Sequence, residues 1–188
     1  MKRIFLVAML VLAAVVTLAA QSTVITKPEL RPFIGANLPA GEQRDLFPDA
    51  AMLGLQLAVE VKPTFHIVGT FAWTATQTSL DVGNDEVDVF MYDLGFEFNT
   101  VKPLGGDWEL KPFLEFGAGA RSYVYGGDVP DRICSAGYLG GGTEFQLVPW
   151  ALRLEARYNV FCYQAPYAAQ SETRYDLGLA FGMAYHFR

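Results

Sequence analysis

The chain has 188 residues, a formal net charge of −6, and 52% hydrophobic and 14% aromatic residues. That length suits a single domain. The acidic balance, with no basic stripe to oppose it, excludes an obvious nucleic-acid partner. Past the N-terminal segment no apolar run approaches the roughly 20 residues of a transmembrane helix.

Residues 1–20 read as an export signal. Lys2 and Arg3 supply the charge, Ile4 to Leu18 the apolar run, and small residues the cleavage site after Ala19 or Ala20. No cysteine stands at that site, so a lipoprotein anchor is not indicated. The mature domain is expected over 21–188, and losing Lys2 and Arg3 takes its formal charge to −8.

Period-two alternation then recurs to the end of the chain. It predicts eight strands, roughly 29–38, 51–62, 64–76, 87–100, 108–124, 136–147, 150–163 and 174–187. In the second, Leu53, Leu55, Leu57, Val59 and Val61 oppose Gln56, Ala58 and Glu60. In the fourth, Phe90, Tyr92, Leu94, Phe96 and Phe98 oppose Met91, Asp93, Gly95, Glu97 and Asn99. The last strand sets Tyr175, Leu177, Leu179, Phe181, Met183, Tyr185 and Phe187 against small or charged neighbours. The first and third strands are less regular, with Phe33 and Val68 on the polar face.

The connections alternate in length. Lys62-Pro63-Thr64 and Val148-Pro149 are tight, and 102–107 is somewhat longer. The other ends are joined by 39–50, 77–86, 125–135 and 164–173. Short turns at one rim and longer polar loops at the other predict an all-β fold, an eight-stranded antiparallel up-and-down transmembrane β-barrel.

Alternation alone leaves two placements of the apolar face. A soluble, lipocalin-like barrel turns it inward around a ligand. A membrane barrel turns it outward. The glycine- and alanine-rich opposite face solubilises nothing but fits a narrow lumen. Aromatics also collect at both strand ends, as interfacial girdles do. Phe65, Phe98, Trp108, Trp150, Tyr185 and Phe187 lie near the short turns. Trp73, Phe90, Tyr92, Tyr158 and Tyr175 lie near the long loops. Both features favour the membrane.

Three segments carry a resemblance: 31–36 (RPFIGA), 111–120 (KPFLEFGAGA) and 184–188 (AYHFR). With the alternation around them, the chain resembles the small OmpA/OmpX-type outer-membrane barrels over nearly all its mature length. That resemblance implies location in the bacterial outer membrane. It also implies contact with outer-membrane lipids and lipopolysaccharide, and insertion by the barrel-assembly machinery. A monomer is expected, without cofactor or metal. A peptidoglycan-binding domain after the barrel is not expected.

Facing the lumen, Glu60, Asp93, Glu97, Glu115, Glu144, Glu155 and Asp176 meet Arg31, Lys111, Arg121, Arg153 and Arg157. Unpaired buried charge costs several kcal/mol, so these groups are expected to form one ion-pair network. A structural plug is the first expectation, because eight strands leave an interior only just wide enough for side chains. A narrow pore is the alternative.

An enzyme acting at the outer leaflet would need a nucleophile and a base there. The only histidines, His66 and His186, map to the short-turn rim on the lumen side, so a structural role is expected for both. The acidic loop of Asp81, Asp85, Glu86 and Asp88 lacks EF-hand spacing. Gly140-Gly141-Gly142 lies within a strand and has no phosphate-loop lysine after it. Cys134 and Cys162, the only cysteines, are a candidate disulfide between neighbouring strands of an exported protein. Strict register sets them on opposite faces, and a bulge or an early strand end would be needed to join them.

Overall fold

In the computed structural model the described residues are 28–80, 85–106, 108–126, 129–147, 150–166, 168 and 170–186. The expected export signal, the Val148-Pro149 turn, Asp81, Phe187 and Arg188 lie outside them.

Nine strands form one antiparallel sheet. They are β1 (Pro28–Ala40), β2 (Ala50–Lys62), β3 (Phe65–Gln77), β4 (Glu86–Asn99), β5 (Lys102–Gly105), β6 (Trp108–Tyr125), β7 (Arg132–Leu147), β8 (Trp150–Tyr163) and β9 (Glu172–His186). Each long strand pairs with its neighbours in sequence, β4 pairs directly with β6, and β1 pairs with β9. The eight long strands therefore close into a ring with no free edge, the arrangement that lets backbone groups pair across every seam.

The short β5 stands apart from the ring. It folds back on the start of β6, with Lys102 opposite Leu110 and Gly105 opposite Trp108. Gly105 (φ 104°) and Gly106 (φ 62°) adopt left-handed backbone that a side chain would resist, which makes this reversal tight. The 102–107 link was expected as a plain connection; its first part is a strand. Likewise β7 begins at Arg132 and not at 136, because Tyr123 and Arg121 on the long β6 continue to pair with Arg132 and Cys134.

Burial alternates along β8 through all fourteen residues, exposed then buried. The exposed positions there are Leu152, Leu154, Ala156 and Tyr158, and the buried ones Arg153, Glu155 and Arg157. The same inversion holds around the ring. Ile34, Leu94, Leu114 and Leu139 are half or more exposed, while Arg31, Glu97 and Glu115 are at most 1% exposed. A soluble barrel would show the opposite, so the lipocalin-like placement is overturned: the greasy face is the outer wall.

Ring contacts tie the outer wall of β3, β4 and β6 together. Phe65 lies 5.0 Å from Phe98, Phe96 lies 5.9 Å from Phe116, and Phe71 lies 5.5 Å from Tyr92. Such pairs add about 0.5–1.5 kcal/mol each beyond area burial. At the girdles Tyr158 stacks on Tyr175 at 5.8 Å, and Trp73 donates its indole N–H to Asp88 at 2.9 Å. Asp88, read from sequence as part of an acidic loop, is thus the polar anchor of an interfacial tryptophan.

Glycines make room inside the wall. A Cβ on Gly95 would sit 2.1 Å from the Tyr138 hydroxyl, and one on Gly54 would sit 2.1 Å from the Phe33 ring. Large and small side chains therefore interleave across the lumen. Phe33 accordingly belongs inside, packed against the buried Met52, Ala72 and Met91.

Candidate functional site: the charged lumen and its aromatic cap

The lower and middle lumen, from the short-turn rim upward, is filled by one connected set of ion pairs. Arg31 on β1 donates from Nε to Glu29 at 3.0 Å and from Nη1 to Glu97 at 2.8 Å. Glu97 on β4 also accepts from Arg153 Nη2 at 2.7 Å. Arg153 on β8 donates from Nε to Glu155 at 2.9 Å. Glu155 in turn accepts from Gln56 Nε2 at 3.0 Å and pairs with Arg157. Arg157 donates from Nε to Glu115 at 2.6 Å and from Nη2 to Thr70 at 3.2 Å, and it lies 3.7 Å from Asp93. Lys111 reaches Glu144 at 3.6 Å, and Glu144 lies 3.7 Å from Arg153. Higher up, Asp176 on β9 accepts from Arg121 and, at 2.7 Å, from Asn159.

The barrel architecture produces this arrangement. Inward positions recur every second residue, so Arg153, Glu155 and Arg157 form a column on one strand. Register sets Arg153 beside Glu144 on β7, and Glu97 beside His66 on β3. Opposite charges two residues apart, and across one seam, lie within reach of a guanidinium fork. Desolvating these ions is costly, and the pairing with added hydrogen bonds is what offsets it.

Three guanidiniums also sit over aromatic rings: Arg153 over Phe113 at 3.5 Å, Arg121 over Phe161 at 4.4 Å and Arg157 over Tyr138 at 4.5 Å. Each such contact contributes about 0.5–2 kcal/mol, most where water is excluded. Phe113, Tyr138 and Phe161 all occupy inward-facing register positions, which is the signal that could have revealed them.

His66 is also part of this lining. Asn99 Nδ2 lies 2.9 Å from His66 Nδ1, and an amide nitrogen donates, so Nδ1 accepts. The remaining ring nitrogen faces Glu29 at 3.8 Å. His66 is held between the Glu29 and Glu97 carboxylates and the Asn99 amide.

Above the charges the lumen turns apolar. The link between β1 and β2 contains a short 3-10 turn, Gly41–Asp45, and carries Phe47 back into the barrel mouth. Phe47 is buried among Val87, Val89, Tyr123, Tyr125, Phe161 and Tyr163. Its ring lies 5.7 Å from Tyr123 and 5.8 Å from Tyr163, and the Tyr125 and Tyr163 hydroxyls meet at 2.7 Å. Ser79 in the next loop donates its backbone N–H to Leu46 at 3.0 Å, which ties the two loops together beside the plug.

Eleven of the twelve expected lumen charges therefore sit in ion pairs: Arg31, Asp93, Glu97, Lys111, Glu115, Arg121, Glu144, Arg153, Glu155, Arg157 and Asp176. Glu60 does not. It lies half-buried at the short-turn rim, where a register shift between Glu60 and Lys62 interrupts the ladder, and it makes no ion pair with a described residue. Sequence reasoning missed Glu29, Gln56 and Asn99 as members, and the aromatic cap altogether.

The candidate disulfide is also corrected. Cys134 and Cys162 are free thiols. The β7–β8 ladder is unbroken from Ala136 opposite Phe161 to Leu147 opposite Trp150, and beyond it Cys134 stays in register with Arg121 on β6 and Cys162 with Thr173 on β9, so each keeps its own face. Cys134 points inward beside the aromatic cluster, and Cys162 is exposed on the outer wall.

A closed eight-stranded ring with an apolar wall and a charged interior defines the class of small outer-membrane β-barrels. Solved structures of that class superpose on this chain. Neisserial surface protein A matches with a TM-score of 0.60 at 9% identity, covering 85% of this chain and 97% of that one. The N-terminal β-barrel domain of Pseudomonas aeruginosa OprF matches at 0.52 and 10%, covering 86% and 97%. Pseudomonas aeruginosa OprG matches at 0.52 and 13%, covering 87% and 97%. At these identities the likeness is one of fold. No family model matches the chain, and no curated relative does. The chain has the fold of a transmembrane β-barrel of that class.

Proposed function

We propose that this protein is a non-enzymatic barrel of the OmpA/OmpX type that supports the outer membrane structurally and displays its long-loop rim at the cell surface. In this reading residues 1–20 direct export and 21–188 form the barrel. It works as a monomer among outer-membrane lipids and lipopolysaccharide, after insertion by the assembly machinery, without cofactor, metal or nucleic acid.

The observation that carries the reading is the double closure of the lumen. Six acids and four bases interlock below, counting Glu29, the Arg121–Asp176 pair lies above them, and Phe47 with its aromatic neighbours fills the mouth. An ion crossing this interior would have to break several buried pairs at several kcal/mol and then part a packed apolar cluster. Among the described residues, two lumen voids beside Phe33 are about 20 and 10 Å³, room for single waters at most. This supports a scaffold over the narrow-pore alternative. Planar-bilayer recording of the purified barrel tests it: a flat baseline is expected, and discrete conductance steps would return the pore to first place. A deletion strain should in parallel become more sensitive to detergents. Unaltered envelope resistance would count against the structural role.

A further inference from the structure

The outer wall carries a groove that neither the lumen nor the loops use. Its volume is about 890 Å³ and it crosses β2, β1, β9, β8 and β7. One register row forms its floor: Ala51, Ala36, Leu179, Ala156 and Gly141, each paired with the next across a seam. The adjoining outward row, with Leu53, Ile34, Phe181 and Leu154, is bulkier and forms a bank. Where the floor is alanine or glycine the surface sinks toward the backbone, and where the bank is Leu, Ile or Phe it rises.

We propose that this groove is a binding site for one acyl chain of an outer-leaflet lipopolysaccharide. Its place in the hydrocarbon-facing wall makes it apolar, and an apolar hollow there offers water too few hydrogen-bond partners to stay. Hydrocarbon must fill it. A second copy of the barrel does not match its shape. Two convex, stiff walls meet along a line, whereas this groove turns around five of the eight strands. A flexible chain can follow that turn.

The length agrees. Four strand spacings of about 4.8 Å give roughly 19 Å, somewhat more than the ~15 Å depth of one leaflet's share of a ~30 Å core. So does the direction. At β2 the groove begins at Ala51, beside the long-loop end of that strand. At β7 it ends at Gly141, nearer the short-turn end. It thus opens at the outer rim, at the long-loop end of β2, and descends obliquely into the membrane.

The site depends on the outer-membrane location and not on the closed lumen, so its failure leaves the scaffold reading intact. The test is native mass spectrometry of the full-length barrel, extracted in mild detergent from lipopolysaccharide-bearing membranes. The wild type should carry one lipopolysaccharide. Ala156→Phe and, separately, Ala36→Leu fill the groove from different strands and should lose it. Leu94→Phe, on the opposite wall, should keep it. Heat-modifiability on a gel shows that each variant is a folded barrel. An adduct that survives both groove substitutions, or is absent from the wild type, overturns the proposal. A phospholipid in its place overturns the assigned source. A dimer that Ala156→Phe abolishes overturns the choice of occupant.

Discussion

Glu155→Ala is the sharpest probe of the lumen. Glu155 accepts from Gln56 at 3.0 Å and from Arg153 at 2.9 Å, and it pairs with Arg157. Alanine leaves three donors facing a void. Breaking a buried ion pair by deleting one partner costs about 3–5 kcal/mol. Here both arginines keep a second acid, Glu97 at 2.7 Å for Arg153 and Glu115 at 2.6 Å for Arg157. The expected loss therefore falls at the lower end, about 3 kcal/mol. With a urea slope of about 1–3 kcal/mol/M, the midpoint should fall by about 1–3 M. Reversible urea unfolding in lipid vesicles, followed by tryptophan fluorescence, reads it directly. Glu155→Gln keeps one acceptor and should lose about half as much, since a hydrogen bond to a charged group contributes about 1.5–3 kcal/mol. A midpoint unchanged in Glu155→Ala, at unchanged slope, would refute the claim that the network holds the barrel.

Four further outcomes are expected. Thiol titration of folded, unreduced protein should count two free thiols. A bulky maleimide should label Cys162 readily and Cys134 only after unfolding; a single unlabelled, reductant-sensitive species would reinstate the disulfide. Gly95→Ala sets a Cβ 2.1 Å from the Tyr138 hydroxyl and 2.6 Å from the Phe116 carbonyl oxygen, and should cost about 1–3 kcal/mol by overpacking, read as an earlier urea midpoint. Phe33→Ala should cost about 3–5 kcal/mol through the cavity left against Met52 and Met91; a loss under 1 kcal/mol would mean that the space collapses. Phe47→Ala should leave planar-bilayer recordings silent, because the ion pairs beneath the cap remain closed, and current in that variant would place the seal in the cap alone.

Most of the fold was legible because each position on a barrel strand faces one of two very different media. Leu152, Leu154 and Tyr158 against Arg153, Glu155 and Arg157 is a pattern that only a wall with unlike sides requires. The charges themselves were legible for the same reason. Which acid meets which base was not, since that depends on the stagger of strands around the ring, and a run such as Arg153-Leu154-Glu155-Ala156-Arg157 carries no mark of it. The cap was missed because Val87, Val89, Tyr123 and Phe161 are apolar on the inward face, where polar residues were sought. Phe47 was missed because it sits in a link with no periodicity. The inward column changes character partway up, and alternation reports that two faces differ, not that one face changes along its length. Glu60 failed at a register shift, where counting by twos breaks down.

The groove in the outer wall is centred where β1 and β9 meet, at the join between the two ends of the chain. Every other seam of the ring joins strands that follow one another closely, and these can form as successive hairpins. The β1–β9 seam pairs Ile34 with Phe181 and Ala36 with Leu179, across almost the full length of the domain. Contacts so distant in sequence carry the largest loop-closure cost and form late. The interlocked rings lie on β3, β4 and β6, opposite that join, so the half of the wall that must mesh its side chains can do so while the sheet is still open. At that join the small Ala36 on β1 stands opposite Leu179, so this row carries less bulk than the neighbouring row of Ile34 and Phe181. The same hollow that holds a lipid chain in the finished protein thus leaves clearance at the junction that has to shut last.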